Sequence, residues 1–158
     1  MPGKALLGLV VVGLMLFGAS FLSGWDSYRF DVIGYGAATG SGSHDAWKAE
    51  LRGEVAAIPV LALASAALAA YLVRRRPHPR GPGVAVLGMT TAAAGLAAWA
   101  VSGGKQESVS ERFYLVVEPG ATMYVAFVLS LAMTGIALWV VARTSRREPP
   151  RALEDGLG

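Results

Sequence analysis

Four apolar runs, 5–23, 55–73, 84–102 and 121–142, contain no Asp, Glu, Lys, Arg or His at all. A helix of roughly 19 residues reaches about 28 Å at 1.5 Å per residue, enough for the hydrocarbon core of a bilayer. Backbone polar groups in lipid have no water to bond, so a lone spanning segment must be helical. The runs therefore predict an all-α membrane protein, a four-transmembrane-helix bundle. Composition agrees, with 54% hydrophobic and 16% charged residues, whereas soluble domains carry about a quarter charged.

The charges between the runs give the orientation. Arg74, Arg75, Arg76, Pro77, His78, Pro79 and Arg80 form a short turn between the second and third runs. Such arginine-rich turns stay on the cytoplasmic side. Arg143, Arg146, Arg147 and Arg151 follow the fourth run. Lys4, the turn and this tail hold nine of the 14 basic residues and three of the 11 acidic ones. The reading is a membrane domain over 1–142 and a cytoplasmic basic, proline-containing tail over 143–158, with both termini in the cytoplasm. The expected location is a bacterial inner membrane. Arg74, Arg75, Arg76, Arg80, Arg143, Arg146 and Arg147 then fix topology and meet lipid headgroups, each gaining on the order of 1 kcal/mol. A pI near 9.5 thus needs no nucleic acid. The first run competes with a cleaved signal peptide, since Gly18, Ala19 and Ser20 resemble a cleavage site, but it exceeds the usual signal core.

Loops 24–54 and 103–120 then lie outside, as a small β-rich cap. Tyr28 to Tyr35 alternates and favours a strand, and Arg112 to Glu118 has strand composition ended by Pro119 and Gly120. An unpaired apolar strand leaves backbone groups open, so the two are expected to pair. Gly34 to Gly42 is expected as a turn, Asp45 to Glu54 as a short helix with Trp47 and Leu51 on one face, and Gly103 to Ser108 as a turn. Pro59 falls in the first or second turn of the second span. Small-residue stripes, Ala62, Ala66 and Ala70, Gly88 with Ala92, Thr91 with Gly95, and Ala126, Ser130 and Thr134, are candidate helix-packing faces. Trp25, Tyr28, Trp99 and Tyr124 fit an outer aromatic belt, Tyr71 and Trp139 an inner one.

Chemistry finds little purchase. With no cysteine there is no thiolate nucleophile, disulfide or iron–sulfur cluster. Runs free of ionisable groups argue against a proton pump. His44 and His78 fall on opposite sides, which excludes a bis-histidine haem between spans. Asp26, Asp31, His44, Asp45 and Glu50 follow no ligand spacing. Gly34 to Gly40 lacks the spacing of a phosphate loop, and Ser41, Ser43 and His44 make no triad. The expectation is no enzyme, no cofactor and no metal.

Four spans, a longer first outside loop opening on Trp25, a shorter second loop with Phe113 and Tyr114, and outside strands resemble the claudin and peripheral-myelin-protein type of tetraspan. That family's Gly-Leu-Trp segment and cysteine pair are absent here. The resemblance implies a self-assembling cell-surface protein. From the residues alone, the leading expectation is a non-enzymatic accessory or scaffolding subunit that binds other membrane-protein subunits in the bilayer. Its outside partner surface is expected around Trp25, Tyr28, Phe30, Trp47, Phe113 and Tyr114, because aromatics are enriched where proteins dock. A third expectation is a carrier or channel for a neutral or lipid-like solute, with a polar crevice lined by Ser65, Thr90, Thr91, Ser130 and Thr134.

Overall fold

The computed structural model describes residues 2–32, 39–48, 53–74, 80–103, 106–109 and 113–145. Four α-helices, α1 (Pro2–Ala19), α2 (Ala57–Arg74), α3 (Arg80–Ser102) and α4 (Ala121–Ser145), alternate in direction. Each packs on the next and α4 closes back on α1. Between them run the strands β1 (Asp26–Val32), β2 (Thr39–His44), β3 (Gln106–Val109) and β4 (Phe113–Pro119). They form one antiparallel sheet in the order β2-β1-β4-β3, at the end of the bundle where α1 finishes and α4 begins.

The buried positions explain the packing. The main series falls at Leu6, Leu9, Gly13, Leu16 and Ser20, at Val55, Ile58, Ala62, Ser65, Ala69 and Leu72, at Val86, Thr90, Ala93, Ala97 and Ala100, and at Met123, Ala126, Ser130, Met133, Ala137 and Val140, with Pro59, Ala66 and Ala94 buried beside it. Along that series the steps alternate between three and four residues in every helix. That spacing keeps one seam facing the bundle axis, as in left-handed four-helix packing. The interior is dominated by alanine, while Leu7, Val11, Leu14, Met15, Val60, Leu63, Val84, Val125, Val128, Leu131 and Leu138 face outward. In water such an apolar exterior is a liability; against lipid tails it costs nothing, and small residues inside let backbones approach. Gly13 permits such an approach between α1 and α2: a Cβ there would sit 2.8 Å from Ala66 Cβ and 2.9 Å from the Ala62 carbonyl oxygen.

Three segments, Glu54–Arg74, Gly81–Ser102 and Ala121–Ser145, are helices long and apolar enough to cross a membrane. The first apolar run forms a shorter helix than its 19 residues promised. Past Ala19 the bonds tighten, with Ser20 N–H on Phe17, Phe21 N–H on Gly18 and Leu22 N–H on Ala19. The chain must turn there to enter the sheet, which ends α1 four residues early. α2 is preceded by a 3₁₀ turn at Gly53–Ala56, and Pro59 falls in the first helical turn, where its missing N–H has no intrahelical acceptor to serve. α3 starts at Arg80 rather than at 84, because Pro82 is also accommodated in a first turn. α4 continues to Ser145.

The sheet pairs the two expected strands, β1 and β4, with Tyr28 opposite Val117, Phe30 opposite Leu115 and Asp31 opposite Tyr114. Two expected turns are strands instead. Thr39 to Gly42 belongs to β2, with Gly42 opposite Tyr28 and Gly40 opposite Phe30. A side chain at Gly40 would fall on the Phe30 ring and one at Gly42 on the Tyr28 ring, so these glycines give the aromatics a floor. Gln106 to Ser108 belongs to β3, on the other edge of β4. Each is recruited by an open ladder beside it, which outweighs local turn composition. The helix expected from Asp45 is a turn over 46–48: the Asp45 carboxylate accepts the Trp47 and Lys48 N–H groups at 3.0 and 2.9 Å. Leu51 lies outside the described residues, as do Gly34 to Ala38.

Candidate functional site: a tethered cap and two outer faces of the bundle

The sheet is fixed to the bundle through a neck. Gly24 has φ +91°, a backbone conformation that only glycine adopts without strain. Its carbonyl accepts the Thr122 N–H at 2.9 Å, the Trp25 carbonyl accepts the Gly120 N–H at 3.0 Å, and the Thr122 hydroxyl bonds the Ser23 carbonyl at 2.8 Å. The Trp25 indole N–H reaches the Ala19 carbonyl at 2.8 Å. That helix-terminal carbonyl also accepts the Leu22 N–H, so it takes two bonds where the helix provides none. Trp47 donates to the Ser20 hydroxyl at 3.0 Å, which in turn donates to Phe17 at 2.6 Å. Beside the neck the buried Asp26 carboxylate lies 3.1 Å from His44 Nδ1, and Tyr28 stacks on that imidazole at 4.6 Å.

The six expected docking aromatics divide among four places. Trp25 is fully buried and belongs to the neck, so it presents no docking face and no membrane-belt ring. Trp47 is exposed and clusters with Phe17 and Phe21, centroids 6.2 and 5.9 Å away. Tyr28, Phe30 and Phe113 share one sheet face, of which Phe30 and Phe113 are 38% and 45% exposed. Tyr114 lies on the opposite face. There it lines a hollow of about 630 Å³ together with Ser27, Arg29, Asp31, Ser41, Ser43 and Glu118. Ser27, Arg29 and Glu118 have no site role in the sequence reading, and Asp31, Ser41 and Ser43 are grouped there with other residues, although the period-two series Ser27, Arg29, Asp31 and Ser41, Ser43 marks one face of paired strands.

The same alternation separates the acidic-ligand and triad candidates of the sequence. Asp26 and His44 share the face opposite Asp31, Ser41 and Ser43. Asp45 turns back on its own loop, and Glu50 lies outside the described residues. Among the described residues no three such side chains converge as metal ligands.

At the far end of the bundle stand Lys4, Arg74, Arg80 and Arg143, the last with its guanidinium 4.5 Å over the Trp139 ring. Arg74 and Arg143 occupy last helical turns, where a cation complements the helix dipole. Arg75, Arg76, Arg146 and Arg147 lie outside the described residues.

Of the small-residue stripes, Ala62 and Ala66 are spent inside the chain against Gly13, with Ala69 rather than Ala70 continuing the seam. Ala126 and Ser130 also face inward. On α3 the expectation inverts: Gly88, Thr91, Ala92 and Gly95 point outward, and a Cβ at Gly88 or Gly95 would meet nothing within 4 Å. The interior hydroxyls bond their own helices: Ser65 to Leu61, Thr90 to Leu87, Ser130 to Ala126 and Thr134 to Ser130, at 2.7 to 3.0 Å. Trp99, Tyr124, Tyr71 and Trp139 are 40 to 51% exposed near the helix ends. No family model, curated protein or solved structure matches this chain.

Proposed function

We propose that the protein is a four-span, non-enzymatic accessory subunit of a larger membrane assembly, with both termini cytoplasmic and the sheet outside. α1 is the fourth span in this reading. It packs between α2 and α4 and turns Leu7, Val11, Leu14 and Met15 outward, a face that only lipid or another helix accommodates without cost. The basic residues at the end opposite the sheet supply the orientation. The observation that carries the docking role is the outward face of α3, where Gly88, Ala92 and Gly95 leave a smooth strip that a partner helix can approach closely. The exposed Phe30 and Phe113 and the mixed-charge hollow around Arg29 give the cap apolar and polar contact surfaces for the same partner.

Purification from native membranes in mild detergent, with mass spectrometry of what accompanies the chain, tests the role. A partner lost on Gly88→Leu or Gly95→Leu is the expected result; a clean monomer from the parent chain would refute it. Topology is tested separately, because the chain lacks cysteine and single cysteines report cleanly. Ser43→Cys should react with an impermeant maleimide on intact cells and Thr144→Cys should not.

A self-assembling, claudin-like role is the second reading, supported by one sheet built from both connecting segments. Disulfide crosslinks between neighbouring copies carrying Ser43→Cys would be its signature. The carrier reading draws less support, since the hydroxyls named for its path are bonded within their own helices or, for Thr91, face outward.

A further inference from the structure

The seam between α1 and α4 opens outward as a groove of about 460 Å³ lined by Ala5, Gly8, Ala132, Gly135, Ile136 and Trp139. From Ala132 to Trp139 it runs about 10 Å, some two thirds of one leaflet's hydrocarbon depth. Its walls are almost wholly apolar. Two cations flank its mouth: the Arg143 guanidinium carbon lies over the Trp139 ring, 4.5 Å from its centroid, and the exposed Lys4 precedes Ala5 in the chain on the α1 side. Among the described residues neither cation has a carboxylate partner, since the two ion pairs found are His44 with Asp26 and Lys48 with Asp45.

We propose that this groove seats one acyl chain of an anionic phospholipid, with its phosphate held by Arg143 and Lys4. The occupant follows from the pairing of an apolar trough at leaflet depth with two cations at its headgroup end that have no carboxylate partner among the described residues. The contact with the indole holds the guanidinium at the mouth by a cation–π interaction, and its N–H groups can donate to phosphate oxygens. A zwitterionic lipid fills the same trough but gains less at the mouth, so the site discriminates by headgroup charge. The proposal rests on α1 lying in the bilayer, as in the reading above.

Quenching of Trp139 fluorescence by lipids brominated on their chains tests it, in full-length protein carrying Trp47→Phe and Trp99→Phe. Trp25 is buried, so Trp139 is then the one lipid-facing indole. Brominated phosphatidylglycerol should be preferred over brominated phosphatidylcholine by about fivefold or more, the factor expected from one headgroup cation. Arg143→Gln should lower that preference by about fivefold. Gly135→Leu, whose Cβ meets nothing within 4 Å, should fill the trough and bring the preference close to one. Equal quenching by the two lipids in the parent, or a preference that survives Gly135→Leu, would overturn the site while leaving the membrane reading intact. Quenching by neither lipid would overturn both.

Discussion

Gly13 is the position at which the bundle's packing can be tested most sharply. In Gly13→Ala the new methyl sits 2.8 Å from Ala66 Cβ and 2.9 Å from the Ala62 carbonyl oxygen, against ordinary carbon contacts of about 3.5–4.0 Å. Neither neighbour can rotate away, because one is an alanine methyl and the other is backbone. α1 must therefore move off α2 by roughly 0.6–1 Å, and a gap of that size forfeits about a quarter to a half of the dispersion well for each contact along the seam, Leu9 and Leu16 included. Overpacking of this kind costs typically 1–3 kcal/mol. The higher helix propensity of alanine returns at most about 1 kcal/mol. Net destabilisation should be about 1–2 kcal/mol. Gly88→Ala makes the same chemical change on the open face of α3 and should be neutral or stabilising by up to about 1 kcal/mol. Unfolding by SDS titration in mixed micelles, followed by circular dichroism, measures both. A Gly13→Ala protein as stable as Gly88→Ala would refute the close approach and the inward register of α1 with it.

The neck and the cap give further expectations. Trp25→Phe removes the donor to the Ala19 carbonyl and should cost about 1–3 kcal/mol, read as earlier proteolysis of the loop 24–54 in protein that is still helical. Gly24→Ala places a Cβ at φ +91° and should cost about 1–2 kcal/mol, while Gly18→Ala, with open space around it, should not. Asp26→Ala strips the buried partner of His44 and of its N–H, at about 1–3 kcal/mol; amide exchange in β2 should speed up while exchange in α2–α4 stays unchanged. Gly42→Val forces the Tyr28 ring off β2 and should raise exchange in that strand in the same way.

The pairing of β1 with β4 was readable because Tyr28 to Ile33 and Phe113 to Val117 carry strand composition and because apolar strands cannot stand alone. β2 was not readable. Its segment Thr39–His44 contains no large apolar residue, and it is a strand because β1 offers an open edge and two rings that only glycine can lie beneath. The aromatics of the cap were visible as a set but not as a surface: strand alternation and the neck send Trp25 inward, Tyr28, Phe30 and Phe113 to one face and Tyr114 to the other. On α3 the chain is nearly as apolar on one side as on the other, so hydropathy could not distinguish the seam from the lipid face.

Sequence alone determined that this chain is built of long apolar helices joined by polar segments, because transfer free energy sums over composition and needs no knowledge of neighbours. Only the tertiary structure decided which side of each helix turns inward and where α1 stops, since contact distances such as that at Gly13 depend on Ala62 and Ala66, which belong to a different helix far along the chain. It also decided which glycines are strands. Close packing and ladder pairing are properties of partners, and no single segment carries them.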